Sequence, residues 1–456
     1  MSFESRNPYT NQVIAHYPED SPKNVKSAIE AAHQQYLSWR RTPFAERSAC
    51  LSKVADLLEA RKDNLAKTMA QEMGKPLQEG ISEIEKCAWV CHYYAAHAEK
   101  FLAAESVEAD AQKSFITYQP MGVVLAVMPW NFPFWQVMRF AAPALMAGNA
   151  ALLKHASNVS ACALAIEKIF EEAGYPEGLF KTLLIPGSRV SEVLEHPLVR
   201  AATLTGSTPA GQAVASKAGK ELKKTVLELG GSDAYLILED ADLDLAARLC
   251  AQSRLINSGQ SCIGAKRFVV VESVYDAFLE KFIDELTHQA VMGDPLAEGT
   301  TLGPMARHDL RDELHEQVMG SVRAGARCIL GGRIPVHEGA MYPPTVLVDV
   351  KPGMPAYEEE LFGPVASVIK VDSEAEAVRV ANDSVFGLGA AIFSRDEARA
   401  ERLAAEEIEA GACFVNSFVK SDPRLPFGGI KQSGYGRELG KYGIREFVNM
   451  KTVSIS

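Results

Sequence analysis

At 456 residues the chain is too long for a single hydrophobic core, and at about 150 residues per domain its length predicts two or three domains. Apolar residues make up 47% and charged residues 23%, which are ordinary values for a globular protein. The formal net charge of −11 argues against a nucleic-acid partner, because phosphate binding requires clusters of Lys and Arg that the sequence does not show.

The first residues, MSFESR, resemble neither a secretory signal nor an Arg-rich transit peptide, so we expect a cytoplasmic protein. Eight cysteines are scattered without CxxC pairs, which predicts reduced thiols rather than a disulfide framework. Cys87 and Cys91 lie four residues apart beside His92, but the two further ligands of a zinc site are not evident. We therefore expect no metal.

The chain opens with amphipathic helices. Ser21-Pro22 is typical of an N-cap followed by Pro at the first helical position. Apolar residues then recur at spacings of three and four, at Val25, Ile29, Ala32, Tyr36 and Trp39.

From residue 123 the pattern changes to short apolar runs with helical stretches between them, which predicts parallel strands in a doubly wound sheet. The predicted strands are residues 123–127, 150–153, 180–185, 201–204 and 225–229. Residues 123–153 are long enough to span a membrane, but three prolines and Arg139 interrupt them. A buried strand–turn–helix unit is therefore predicted instead, and no membrane partner.

A second series of strands is predicted at residues 234–238, 268–271, 365–371 and 413–415. Residues 111–119 and 447–455 are also predicted as strands, and a strand at a chain end presents an unpaired edge.

The most informative segment is residues 257–266, NSGQSCIGAK, which places Cys262 after a glycine turn. Glu228 precedes two glycines in residues 227–231, LELGG. A cysteine nucleophile needs a base and close backbone approach to its substrate, which these two segments supply. The alternatives are a buried structural cysteine and a solvent-exposed glutamate at a strand end.

Together with the order of other motifs, these segments resemble the aldehyde dehydrogenase family. The other motifs are residues 129–133 (PWNFP), 153–154 (LK), 205–208 (TGST), 360–364 (ELFGP) and 426–434 (PFGGIKQSG). Residues 128–139, 153–158 and 420–424 are most similar to those of short bacterial succinate-semialdehyde dehydrogenases.

The resemblance implies an α/β fold with three parts. Residues 1–108 and 120–230 would form an NAD(P)-binding domain with a doubly wound parallel sheet, and residues 231–430 a catalytic α/β domain. Residues 109–119 and 431–456 would form a small β element for oligomerisation, which implies a homodimer or a tetramer made of two dimers.

The resemblance also implies roles for individual residues. Cys262 would be the nucleophile, Glu228 the base for the thiol or for the deacylating water, and Asn131 an oxyanion donor together with the Cys262 N–H. Contacts to the cofactor are implied for Met128, Pro129, Trp130, Lys154, Ser157, Gly206, Ser207, Leu229, Glu360 and Phe362. Ser157 replaces the glutamate of many NAD-preferring relatives, so NADP is favoured and NAD remains possible.

For the substrate, the resemblance implies contacts to Trp135, Arg139, Ser261, Lys420 and Ser421. Arg139 is the first candidate receptor for a substrate carboxylate, although it could instead be half of a structural ion pair. Larger relatives carry a second arginine six residues before the nucleophile, where this chain has Ile256. Lys420, Ser421 or Arg424 could complete the carboxylate pocket.

The predicted function is the NAD(P)-dependent oxidation of succinate semialdehyde to succinate through a thiohemiacetal and a thioester on Cys262. One alternative is an aldehyde dehydrogenase of broader range. Another is a non-catalytic NAD(P)-binding protein on the same scaffold. The presence of Cys262, Glu228 and Asn131 together argues against the second alternative, and Glu228 also argues against an enzyme that acylates coenzyme A.

Overall fold

The computed structural model describes residues 2–456, which form two large, mainly parallel β-sheets and three small antiparallel sheets. The strands are β1 (Ser2–Arg6), β2 (Val13–Pro18), β3 (Glu105–Val107), β4 (Lys113–Pro120), β5 (Val123–Met128), β6 (Ala150–His155), β7 (Phe180–Thr182), β8 (Val199–Thr205), β9 (Lys224–Glu228), β10 (Ala234–Ile237), β11 (Arg267–Val271), β12 (Arg327–Leu330), β13 (Thr345–Val348), β14 (Val365–Val371), β15 (Phe386–Gly387), β16 (Gly389–Phe393), β17 (Ala412–Val415), β18 (Ile430–Lys431), β19 (Gly434–Tyr435) and β20 (Val448–Ile455).

The α-helices of residues 2–456 are α1 (Pro22–Trp39), α2 (Phe44–Met73), α3 (Leu77–Phe101), α4 (Trp135–Met146), α5 (Ser160–Glu172), α6 (Val190–Glu195), α7 (Thr208–Lys220), α8 (Leu243–Leu255), α9 (Glu272–Gln289), α10 (His308–Arg323), α11 (Pro355–Glu358), α12 (Glu374–Asn382), α13 (Glu397–Arg402) and α14 (Gly440–Ile444). Short 3₁₀ turns follow at Ser157–Val159, Gly187–Arg189 and Ile256–Gly259, and a π turn at Leu403–Glu407.

The first large sheet has the strand order β19-β9-β8-β5-β6-β7, with all pairs parallel except β19 and β9. The five strands predicted from the apolar runs are all present, although β7 is shorter than predicted. Their side chains and those of α1 to α5 share one apolar core. The predicted doubly wound sheet is thereby confirmed.

The second large sheet has the order β12-β13-β14-β11-β10-β16-β17, in which only the edge strand β12 is antiparallel. Its four predicted strands are present, while β12, β13 and β16 were not predicted. Neighbouring residues of a strand face opposite sides: Leu236 packs into one core and Tyr235 into the other. Helices cover both faces, so this sheet is buried on both sides.

Local helix signals were reliable. Ser21 caps α1 by accepting a hydrogen bond from the Asn24 N–H, and the five apolar residues predicted for its inner face are the buried ones. Residues 123–153 form β5, α4 and β6. Within residues 2–456 we find no helix with the length and apolar content that crossing a membrane requires.

The small three-stranded sheet has the order β20-β4-β3. The strands predicted at residues 111–119 and 447–455 are present as β4 and β20. They pair with each other, from Val448 opposite Pro120 to Ile455 opposite Lys113. The segment 431–456 is not confined to this sheet, because β19 pairs with β9 of the first large sheet. The domain boundaries stay predictions.

Candidate active site

The turn before Cys262 has an unusual backbone. Asn257 and Ser258 have φ of 54° and Gly259 has φ of 75°, so three successive residues are left-handed. This conformation is costly for residues other than glycine and persists only where the surroundings impose it. The Asn257 side chain donates to the Asn131 carbonyl at 2.7 Å. A Cβ on Gly259 would lie 2.3 Å from the carbonyl carbon of Gly363, so this turn packs directly against residues 360–364.

A buried ammonium group fixes the turn that carries Cys262. Lys266 is 1% exposed, and its Nζ donates to the carbonyls of Ser261 at 2.8 Å and Cys262 at 2.7 Å. It also lies 3.2 Å from Glu360 Oε1, which accepts the Gly231 N–H at 3.1 Å. The cysteine turn, the glycines after Glu228 and the carboxylate of Glu360 therefore form one connected network.

The thiol of Cys262 is half-buried and free. Burial raises its pKa to about 12, and the positive charges of Arg139 and Lys266 oppose this rise. At neutral pH the thiol is therefore protonated before substrate binds, and nucleophilic attack requires a group that accepts its proton.

Asn131 lies against this thiol turn. It is 3% exposed, its Nδ2 donates to the Gln260 carbonyl at 3.0 Å, and its Oδ1 accepts from Gln136 at 3.1 Å. One amide N–H remains, and no residue of 2–456 accepts the backbone N–H of Cys262. Both residues line a common cavity, so these donors have the arrangement of an oxyanion hole.

Glu228 ends β9 and is 2% exposed. Neither of its carboxylate oxygens has a hydrogen-bond partner within residues 2–456, and it lines neither cavity beside Cys262. Instead it lies against Gly428, where a Cβ would be 2.6 Å from its Oε1. Burial, and then the charge of Glu438, raise its pKa well above the usual range. Its role as the base stays a prediction.

A cleft of about 610 Å³ lies on one side of Cys262 and is called the cofactor cleft below. The N-terminus of α7 opens into it, and the first-turn N–H groups of a helix are a favourable site for phosphate. Trp130 and Phe362 meet edge to face with ring centroids 5.8 Å apart. Seven of the predicted cofactor residues line it, namely Pro129, Trp130, Gly206, Ser207, Leu229, Glu360 and Phe362.

The other three predicted cofactor residues lie at the same edge of the sheet but outside the cleft wall. Met128 is buried at the end of β5, where it is opposite His155 of β6. Lys154 is half-buried, and burial lowers its pKa. Ser157 is exposed in the short turn that follows β6. The carboxyl ends of parallel strands are where such folds bind dinucleotides, so the positions suit the predicted roles.

A second cavity, of about 380 Å³, lies on the other side of Cys262 and is called the substrate cavity below. All five predicted substrate residues line it: Trp135, Arg139, Ser261, Lys420 and Ser421. Gln136 and Cys262 border both cavities. The thiol thus lies at their junction.

Arg139 is 3% exposed and forms an ion pair with Glu438, which is 5% exposed. Its guanidinium also lies 4.6 Å from the ring centroid of Phe427. This arrangement supports the second interpretation of Arg139, a structural ion pair, since its charge already has a buried partner. A role as carboxylate receptor stays a prediction.

Comparison with known proteins matches residues 1–453 to the aldehyde dehydrogenase family. The chain belongs to this family. A relative from Synechocystis sp., named a "Probable succinate-semialdehyde dehydrogenase" with NADP(+), is 51% identical over 456 residues, covering 100% of both chains. A succinate-semialdehyde dehydrogenase from Mycolicibacterium paratuberculosis, also named with NADP(+), is 48% identical over 100% of this chain and 97% of its own.

Among solved structures, succinic semialdehyde dehydrogenase from Streptococcus pyogenes, in complex with NADP+ as the cofactor, is similar with a TM-score of 0.97. It is 40% identical and covers 99% of each chain. The predicted membership of the aldehyde dehydrogenase family and the predicted α/β fold are both confirmed.

Sequence reasoning missed three charged groups of this aldehyde dehydrogenase site. They are Lys86 of α3, which lines the substrate cavity, the buried Lys266, and Glu438, the partner of Arg139. Lys266 lies within the segment 257–266, four residues after Cys262, so its role near the thiol could have been predicted from the sequence. Lys86 and Glu438 have no local signal, because their positions depend on tertiary contacts.

Proposed function

We propose that this aldehyde dehydrogenase oxidises succinate semialdehyde to succinate with NADP+. The observation that carries the proposal is the position of Cys262 where the cofactor cleft meets a cavity with a cationic wall. The names of the Synechocystis and Mycolicibacterium relatives support the same activity and cofactor, which are those predicted from the sequence.

The reaction follows from the groups beside the thiol. The Cys262 thiol passes its proton to a base, for which Glu228 is our candidate, and its Sγ forms a bond to the aldehyde carbon, which gives a thiohemiacetal. Asn131 and the Cys262 N–H stabilise the negative oxygen. Loss of hydride from the carbon leaves a thioester, and attack by water breaks the C–S bond, releasing succinate and restoring the thiol. Glu228, after it has released its own proton, is also our candidate for accepting the proton of that water.

NADP+ supplies the hydride acceptor when it is bound. The cofactor cleft fits a dinucleotide, because the α7 N-terminus offers N–H groups to a pyrophosphate and the paired rings of Trp130 and Phe362 line the same cleft as Cys262. Ser157 presents a small neutral side chain at the end of β6, so a 2′-phosphate meets no negative charge from this residue.

We also propose a homo-oligomer, either a homodimer or a tetramer of two dimers. The outer strand β20 pairs with β4 on one side and with no strand of residues 2–456 on the other. Met450 of β20 is 63% exposed, which leaves apolar surface beside an unpaired strand edge. Light scattering across a range of protein concentrations will give the mass, and a monomer throughout would contradict this proposal.

Steady-state kinetics with succinate semialdehyde, butanal and other small aldehydes, each with NADP+ and NAD+, will test the activity. We expect the highest kcat/KM with succinate semialdehyde and NADP+. A preference for butanal, an uncharged aldehyde of equal chain length, would instead indicate an aldehyde dehydrogenase of broader range.

A further inference from the structure

Lys86 places an ammonium group in the substrate cavity. It belongs to α3, its side chain is half-buried, and it lines the same cavity as Cys262. The Nζ donates to Ser421 Oγ at 2.9 Å and lies 4.4 Å from the ring centroid of Trp135. Since an ammonium group has three donors, two remain for another partner.

The other charged groups of the cavity wall are Glu79, Glu83, Arg139 and Lys420, and two of these four have an ion-pair partner. Arg139 pairs with Glu438, and Glu83 pairs with the buried Lys75. Among residues 2–456, only Lys86 and Lys420 line this cavity as cations without an ion pair. Lys420 is exposed, so solvent weakens any contact that it makes. Lys86 is the better enclosed of the two.

Glu83 also explains why Lys86 projects beside Trp135. Its carboxylate accepts the backbone N–H groups of Phe134 and Trp135 at 2.9 Å each, which joins α3 to the start of α4. Lys86 follows one helical turn later on the same side of α3. The hydrogen bonds of Glu83 thus hold the Trp135 ring beside the Lys86 ammonium group. These bonds do not involve the charge of Lys86.

We propose that Lys86, with the hydroxyl of Ser421, binds the carboxylate of the substrate in the cavity that Cys262 also lines. This inference rests on the proposed function and identifies the receptor within the same site. An anion there gains a charge-assisted hydrogen bond in a partly desolvated position beside Trp135.

The electrostatics of Lys86 support this geometry. Burial, and then the nearby charge of Arg139, lower its pKa to about 8. Glu83 and Asp422 oppose this lowering, but each is paired with another cation and neither forms an ion pair with Lys86. A substrate carboxylate supplies that missing charge, so binding of an anion and protonation of Lys86 favour each other.

The decisive variant is Lys86→Met, which keeps an apolar stem against Trp135 and removes the charge. We expect kcat/KM for succinate semialdehyde to fall about tenfold to a hundredfold, and that for butanal to change less than about threefold. Lys86→Arg should restore part of the preference. Lys100→Met, the same change on the exposed last turn of α3, serves as the matched control.

Equal losses on both aldehydes would mean that Lys86 only supports Trp135 and Ser421, and would overturn the inference. A loss of preference in Lys420→Met or Arg139→Met, but not in Lys86→Met, would assign the carboxylate to those residues instead.

Inhibition of butanal oxidation by succinate separates this inference from the proposed function. It measures anion binding whichever aldehyde the enzyme prefers. We expect the inhibition constant of succinate to rise about tenfold or more in Lys86→Met. An unchanged constant would refute the role of Lys86, whereas preference of the unmodified enzyme for butanal would refute only the proposed substrate.

Discussion

The two cavities that meet at Cys262 carry opposite charge. The wall of the cofactor cleft contains four glutamates and, within residues 2–456, neither Lys nor Arg; the glutamates are Glu313, Glu358, Glu359 and Glu360. The substrate cavity contains three cations, Lys86, Arg139 and Lys420, and two glutamates, Glu79 and Glu83. An anionic cofactor therefore depends on backbone N–H groups at α7, whereas a small anionic aldehyde is attracted to the other side. The two cavities thus offer an anion different kinds of donor, which are backbone N–H groups on one side and cationic side chains on the other.

The cavities also differ in how the chain builds them. The cofactor cleft is formed by turns that follow strands, such as Gly206-Ser207 after β8, so its residues occur in short motifs. The substrate cavity is formed where α3 and α4 meet the cysteine turn and residues 418–421. Its chemistry depends on groups that are distant in sequence.

Cys262 belongs to both cavities, and its removal should have the largest effect. In Cys262→Ala we expect turnover to fall by about four orders of magnitude or more, because no other group can form the thioester. Titration of NADP+ by calorimetry should give nearly unchanged affinity, since binding does not need the thiol. Cys328→Ala, which removes an exposed cysteine on β12, is the control. Substantial turnover by Cys262→Ala would exclude the covalent route.

The buried pair of Arg139 and Glu438 should matter most for stability. In Arg139→Met, the carboxylates of Glu438 and Glu228 would lose the buried cation that opposes their raised pKa values. We expect the free energy of unfolding at pH 7, measured with urea, to fall by about 3–5 kcal/mol. Lys370→Met removes an exposed ion pair with Glu272 and should leave the free energy of unfolding nearly unchanged. Equal effects would show that the ion pair of Arg139 with Glu438 does not stabilise the fold.

The secondary-structure elements that could be predicted are those that residues close together in sequence specify. Capping by Ser21 and the five inward residues of α1 follow from neighbouring residues, and so do the strands that precede the motifs. The strands β13 and β16 were missed, since short apolar runs of four or five residues do not distinguish strand from helix. Only their pairing in the structure identifies them as strands: β13 pairs with β14, and β16 pairs with β10.

The site shows the same limit. Cys262 and Asn131 are brought together as the motifs predicted, because both lie in turns at the edges of their sheets. Glu228 points into a buried region against Gly428, a direction that no sequence pattern specifies. The contact of Arg139 with Glu438 likewise joins α4 to a segment near the end of the chain. Charge pairing between distant segments cannot be derived from composition or spacing.

Ser157→Glu tests how the charge of residue 157 affects the choice between NADP+ and NAD+. A carboxylate at the end of β6 should repel the 2′-phosphate of NADP+ while accepting hydrogen bonds from the ribose of NAD+. We expect the ratio of kcat/KM for NADP+ to that for NAD+ to fall roughly tenfold to a hundredfold. Ser157→Gln adds similar volume without charge and should change the ratio much less. If both variants behave alike, the size of the side chain and not its charge selects the cofactor.

The smallest predicted effect is a pH dependence of substrate binding in the substrate cavity. Lys86 has a pKa of about 8 and is faced by Arg139, Cys87, Glu83 and Asp422. It is charged below that pH and loses its charge as the pH rises. The ratio of KM for succinate semialdehyde to KM for butanal should therefore increase, by about fivefold to tenfold, between pH 7 and pH 9. Taking the ratio cancels the titration of Cys262, which affects both aldehydes.

Glu79 lines the same cavity, and burial raises its pKa to about 7, so its ionisation also opposes an anion as the pH rises. Two variants separate these groups. In Lys86→Arg the side chain at residue 86 keeps its charge from pH 7 to pH 9. The increase of the KM ratio centred near pH 8 should therefore disappear, while the increase near pH 7 that Glu79 causes should persist. Glu79→Gln should remove only the latter. If the increase near pH 8 survives in Lys86→Arg, its cause is another group and the cationic wall does not depend on Lys86.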